Sequence, residues 1–271
     1  MSEKPPKVSN VNEDYGATPD AIAETMHKKS APSLDPKDPR FPKLKTVVQV
    51  VKGDTFDRAI EMSGKNRGPV CVLNFANAKT AGGGWLKGKS AQEEQLFYRS
   101  TLSASLVEKR ARLYPMGEME GIYSPQVFIF RKNVESNYEM MDHFVVVSVV
   151  SMAAQYKPPL TDGVYKSEAT RDLMRKKMRL ILRAAGQMRH RHLALGALGC
   201  GAYGHPPREV ANCWKTVLQE SEFSGWFERI WFIIKDARKP VNFPTFKKIL
   251  HGLAMPGPDE PPTPGTGASS A

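Results

Sequence analysis

The 271-residue sequence predicts an α/β layered fold, and three patterns point to it. Short apolar runs of strand length alternate with amphipathic helical stretches through the middle of the chain. Two of the runs, "PVCVLNFA" (69–76) and "HLALGALG" (192–199), are apolar almost without a break, as expected of strands covered on both faces. Both lead into glycine clusters, Gly82–Gly84 and Gly199–Gly204, that stand ahead of helical stretches.

Residues 1–44 are rich in Pro, Lys, Asp and Ser and poor in large apolar side chains. They bury too little to offset their ordering entropy, so a mostly disordered extension is expected there. The exception is "PDAIAETMHKK" (19–29), which could form a docking helix. "KTVVQVV" (45–51) reads as a strand, and "DTFDRAIEMSG" (54–64) as a helix with Asp54 at its N-cap and a glycine at its end. Beyond the first glycine cluster, Gln92 to about Arg112 reads as one helix, and Ser90 with Glu93 has the spacing of a capping box. "IYSPQVFIFR" (122–131) and "HFVVVSVVSM" (143–152) are strands. The segment 168–188 carries Met174, Met178, Ile181, Ala185 and Met188 in a helical stripe. A helix over 208–219, a strand over 229–236 and a helix opened by Pro244 complete a single folded unit expected at 45–254. Residues 255–271 are a low-complexity segment, expected to be a disordered tail.

The net charge of +11 predicts attraction to polyanions, nucleic acid included. Much of that charge sits on "RDLMRKKMRLILR" (171–183), whose basic side is equally a solvated helix face. No apolar run reaches the roughly 18 residues that a membrane span needs. The opening "MSEKPPKVSNVNEDYG" lacks the apolar core of a secretory signal. Cys71, Cys200 and Cys213 are odd in number and lack CxxC spacing. Neither a disulfide framework nor a zinc site is expected, and a reducing intracellular setting, cytoplasmic or nuclear, is favoured. The absence of a heptad or an apolar outer stripe favours a monomer.

Glycine lets a backbone approach an oxyanion and aim its N–H groups at it, and the N-terminus of a following helix adds to the attraction. Each cluster alone reads as a tight turn; two at equivalent strand ends suggest a diphosphate site. "GCGAYG" (199–204) fits GxGxxG, but it falls too late in the chain for a dinucleotide fingerprint, and no GxxxxGK[ST] is present. Glu93 and Glu94 fall in a first helical turn, where acidic residues complement the helix dipole. Adjacent helix positions point about 100° apart, so one carboxylate can face a ligand while the other reaches a neighbouring group. Glycoside hydrolysis requires such an acid, and a nearby diphosphate would raise its pKa by like charge. Asn74 and Asn77 either close the second strand or contact ribose hydroxyls. Tyr203, inside a glycine turn, is either a rim aromatic or a platform for a sugar. Asp54 is first a helix cap, with an adenine amine as its alternative partner. His205 and His251 have no companion ligands and read as structural.

"LNFANAKTAGGG…AQEEQLFYRSTL" together with "LGALGCGAYGHPPREVA" resembles the microbial-type poly(ADP-ribose) glycohydrolases, a branch of the macrodomain fold. The family pattern is GGG, six to eight residues, then QEE; here seven residues separate Gly84 from Gln92. The likeness covers approximately residues 45–240 and neither terminal segment. It implies a three-layer α/β/α macrodomain with a mixed central sheet, acting on poly(ADP-ribose) without metal or other cofactor. Carried over by motif, Glu94 is the general acid/base on the ribose–ribose bond, Glu93 orients the neighbouring ribose hydroxyl, and Asn77 meets the terminal ribose. Gly82, Gly83, Gly84, Gln92, Gly199, Cys200, Gly201, Ala202, Tyr203 and Gly204 then line the ADP-ribose site. His205 stands where the family has a small polar residue, which leaves the adenosine contacts open. The resemblance implies release of ADP-ribose from chain ends. The alternatives are a mono-ADP-ribosyl hydrolase acting on protein or nucleic acid, and a reader that binds without cleaving. The pair of glutamates argues against the reader, because binding alone needs no acid.

Overall fold

The computed structural model describes residues 31–64, 68–107, 113–236 and 240–258, together with the backbone of Thr25–Met26. Among them seven strands form one sheet: β1 (Thr25–Met26), β2 (Val47–Lys52), β3 (Val70–Phe75), β4 (Gly121–Arg131), β5 (Met140–Met152), β8 (His192–Leu195) and β9 (Arg229–Ile234). The short strands β6 (Leu160–Thr161) and β7 (Val164–Tyr165) make a separate hairpin. The order across the sheet is β1-β4-β5-β3-β8-β9-β2. Strands β5, β3, β8, β9 and β2 run parallel to one another, whereas β4 is antiparallel to both β5 and β1. Pro125 falls where the β4–β5 register shifts, between Ser124 and Val127, a place where a missing N–H breaks no ladder bond.

Side-chain alternation divides the core into two layers. Cys71, Leu73, Leu193, Leu195, Ile230 and Phe232 face one way, against α4 (Glu168–Gln187), α5 (Pro207–Leu218) and α6 (Asn242–Leu250). Val70, Val72, Ala194 and Ile233 face the other way, against α1 (Thr55–Ser63), α2 (Gln92–Arg99) and α3 (Leu102–Val107). The result is the three-layer α/β/α arrangement with a mixed sheet. Continuous apolar runs in β3 and β8 follow directly from burial on both faces.

Five expectations are corrected. The helix read over 92–112 breaks at Ser100, which is extended and bridges to Ile129 of β4, while its hydroxyl donates to Leu96 O; α2 and α3 are separate. Residues 108–112 lie outside the described residues. Of the helix expected at 19–29, Thr25 and Met26 instead pair with Ile122 and Gly121 as β1, and the rest lies outside the described residues. The packed body begins by Ala31, since Ala31 and Leu34 are buried in the core and Phe41 stacks on Trp226 with ring centroids 5.2 Å apart. At the other end Pro256 O accepts a hydrogen bond from Ser224 Oγ at 2.7 Å, beyond the boundary expected at 254. The helical stripe holds at Met174, Met178, Ile181 and Ala185, but Met188 follows the last turn and is exposed.

The basic helix proves to be largely ion-paired. Arg171 binds Glu209 at 2.7 Å, Arg179 binds Glu220 at 2.7 Å, Arg183 binds Glu222 at 2.6 Å, and Arg175 contacts Glu168 and Asp172. These pairs tie α4 to α5 and the turn after it. A helix whose guanidinium groups are neutralised this way presents little free charge to a polyanion.

Candidate active site

Strand β3 ends at Phe75, and the chain turns through Asn77 into the first glycine cluster before entering α2. Gln92 locks these parts together. Its Oε1 accepts from Phe75 N–H at 2.9 Å, and its Nε2 donates to Leu73 O at 2.7 Å, so one side-chain amide substitutes for a neighbouring strand. The expected capping box does not form: Ala91 holds the N-cap position with no side-chain bond. The first-turn carboxylates are held instead by loop amides.

Glu93 is buried, 4% exposed. It accepts from Asn77 N–H at 2.9 Å, Gly82 N–H at 3.2 Å and Asn74 Nδ2 at 3.4 Å. Burial pushes its carboxyl up to about 7, and the like charge of Glu94 adds to the rise, against the opposing pull of those three donors. Glu94 Oε1 accepts from Gly84 N–H at 2.9 Å, and among the described residues no donor engages its Oε2. Gly83 lies between the two acids at φ +55°; a Cβ there would stand 2.8 Å from Glu94 Oε1 and 3.1 Å from Glu93 Oε2. A side chain there would strain the backbone and push on both carboxylates.

The two glycine clusters do different things. In the first, Gly83 N–H donates to Thr80 O at 3.0 Å, while those of Gly82 and Gly84 hold the glutamates. In the second, Cys200, Gly204 and His205 close internal turns on Ala197, Gly201 and Gly199. That leaves the N–H groups of Gly201, Ala202 and Tyr203 with no acceptor among the described residues, a run of donors suited to an anion. A Cβ on Gly199 would stand 2.5 Å from the His205 ring. His205 is buried between Tyr165 OH at 2.6 Å and Gln155 O at 2.7 Å, and His251 accepts from Val50 N–H, so both are structural.

Tyr203 joins the two clusters. Its hydroxyl lies near the Ala78 backbone, and its ring meets Tyr156 edge-on with centroids 5.3 Å apart. Asn77 Oδ1 accepts from Lys79 and Thr80 N–H, the turn-closing role open to it, while its N–H holds Glu93. Asn74 is fully buried within β3 rather than at its end, and donates to Ser151 Oγ at 3.0 Å as well as to Glu93. Asp54 caps α1 through Phe56 and Asp57 N–H and also pairs with Arg99, so the structure gives its carboxylate a scaffold partner. Tyr114 was not singled out by any motif, yet its loop docks on Ala78 through Met116 N–H at 2.7 Å. Its only sequence signal was the "YP" pair in an otherwise unpatterned stretch. Among the described residues no group of three or more His, Cys, Asp or Glu side chains is arranged to hold a metal.

The sequence profile of the microbial-type PARG catalytic domain matches residues 16–132. Among curated proteins no relative matches. The poly(ADP-ribose) glycohydrolase of Thermomonospora curvata, solved with the inhibitor ADP-HPD, is 30% identical with a TM-score of 0.67, over 75% of this chain and 78% of that one. The Deinococcus radiodurans enzyme in complex with ADP-ribose is 30% identical with a TM-score of 0.65, over 77% and 86% of the two chains. Fold, paired glutamates and these likenesses agree: the chain belongs to the microbial-type poly(ADP-ribose) glycohydrolase family.

Proposed function

We propose that this chain hydrolyses the ribose–ribose O-glycosidic bonds of poly(ADP-ribose) and releases ADP-ribose from chain ends. The observation that carries the reading is the placement of the two carboxylates. Gly82 and Gly84 N–H groups hold Glu93 and Glu94 side by side, and Tyr203 brings the second glycine turn near the same strand end. The free N–H groups of Gly201, Ala202 and Tyr203 suit the diphosphate, and Tyr203 offers its ring to the adjoining ribose.

In this mechanism Glu94, through Oε2, gives a proton to the leaving ribose oxygen as positive charge develops on the sugar. A water attacks the anomeric carbon, and Glu94 takes the proton that the water loses. Glu93 accepts from a hydroxyl of the reacting ribose and fixes its orientation. Cys71 and Cys213 are buried and Cys200 is half-buried, all as free thiols, in keeping with the proposed reducing intracellular setting. No helix among the described residues is long and apolar enough to cross a membrane.

The test is Glu94→Gln, which keeps shape and hydrogen bonding while removing the acid. With auto-modified polymerase as substrate, free ADP-ribose should form at least about a thousandfold more slowly than with the parent. ADP-ribose binding should persist. A variant that cleaves as fast as the parent disproves the role of Glu94. Chain-end action is read from the same reaction, since monomer should accumulate from the earliest times without intermediate oligomers.

A further inference from the structure

Tyr114 stands on the loop between α3 and β4, beside the glutamates but outside the motif that contains them. Met116 N–H anchors that loop to Ala78 O at 2.7 Å, and Ala78 adjoins Asn77, whose N–H holds Glu93. Tyr114 is partly buried and packs against the core layer that contains Ala76, Leu96 and Phe97. Its hydroxyl is buried and has no hydrogen-bond partner. Buried hydroxyls rarely stay unpaired, because desolvation without a partner is costly. Tyr114 is also within electrostatic reach of both Glu93 and Tyr203, which together with burial hold its phenol well above the ordinary range. Through neutral pH it therefore keeps its proton and is a hydrogen-bond donor.

We propose that Tyr114 is a substrate-positioning residue, its hydroxyl donating to the same ribose hydroxyl that donates to Glu93. The sugar oxygen would then be held from both sides, as acceptor and as donor. This inference rests on the glycohydrolase reading, and it adds a contact that the GGG and QEE motif does not contain.

Tyr114→Phe removes one oxygen and keeps the ring. The Kd for ADP-ribose, measured by calorimetry, should rise about tenfold, and kcat/KM for the polymer should fall by at least that factor. Tm should stay unchanged or rise, because the variant loses an unpartnered buried hydroxyl. If Kd and kcat/KM both stay within twofold of the parent, the inference is overturned and the hydroxyl is only a packing defect. A drop in Tm alongside the loss of activity overturns it too, since the hydroxyl would then be a structural bond. A parent that binds ADP-ribose through Tyr114 but cleaves no polymer overturns the glycohydrolase reading and upholds the contact. A parent that does neither overturns both.

Discussion

Gly83→Ala isolates the geometry on which the site depends. The new methyl carbon would stand 2.8 Å from Glu94 Oε1 and 3.1 Å from Glu93 Oε2. Ordinary contact lies near 3.4 Å, so Glu94 must move by about half an ångström, and its bond to Gly84 N–H at 2.9 Å must stretch or break. A misplacement of about 1 Å costs roughly a hundredfold in rate, so half of that, felt by both acids, predicts a ten- to hundredfold loss in kcat/KM. The backbone contributes a separate effect, because a side chain at φ +55° costs about 1–2 kcal/mol. Gly163→Ala supplies the control. Gly163 sits at φ +77° in the β6–β7 turn with open space around its Cβ position, so it carries the backbone cost without the clash. Both variants should lose Tm by about 2–4 °C per kcal/mol, and only Gly83→Ala should lose activity. If release of ADP-ribose by Gly83→Ala stays within twofold of Gly163→Ala, the glycine is not what sets the acids.

Two further outcomes concern stability. Glu93 is raised to about 7 by burial, so the folded chain holds a proton that the unfolded chain releases between about pH 4.5 and 7. The associated stability is present at low pH and is lost as pH rises through about 7, a change of about 3 kcal/mol. Urea unfolding from pH 5 to 8 should show the parent losing that much more than Glu93→Gln, and parallel curves would refute it. His190 and His205, held below their ordinary value by burial, push the other way but cancel between the two proteins. Arg99 is 1% exposed and binds Asp54, Asp57 at 2.6 Å and Arg131 O at 3.1 Å, joining α2 to α1 and β4. Arg99→Met leaves the nearly buried Asp54 without its cation and should destabilise by about 3–5 kcal/mol in the same assay; a loss below about 1 kcal/mol would show the pair to be dispensable.

Elements whose cause is local could be read from sequence. Asp54 caps α1 as its spacing implies, and the unbroken apolar runs mark β3 and β8 because burial on both faces leaves no polar positions. The family likeness rests on two motifs that the fold brings to the neighbouring ends of β3 and β8. What escaped the sequence was set by distant partners. The bridge from Ser100 to Ile129 interrupts a helix that local propensity would continue, and the loop amides draw Glu93 away from the cap that its spacing favours. Similarly, the sequence assigned the first glycine cluster to a phosphate, whereas two of its three N–H groups hold carboxylates. Tyr114 escaped because an unpaired hydroxyl has no signature in a sequence.

The bonds from Gln92 to Phe75 N–H and Leu73 O make the QEE triplet a plug fitted into the end of β3. The other end of the intervening loop is fastened by the acids themselves, through Gly82 and Gly84. Between these two fastenings, residues 85–91 are half-buried or exposed, and they include Leu86, which is 82% exposed. The stretch can therefore gain or lose a residue at its apex without displacing either carboxylate. Such a loop is free to diversify, and it borders Glu94 while it does so.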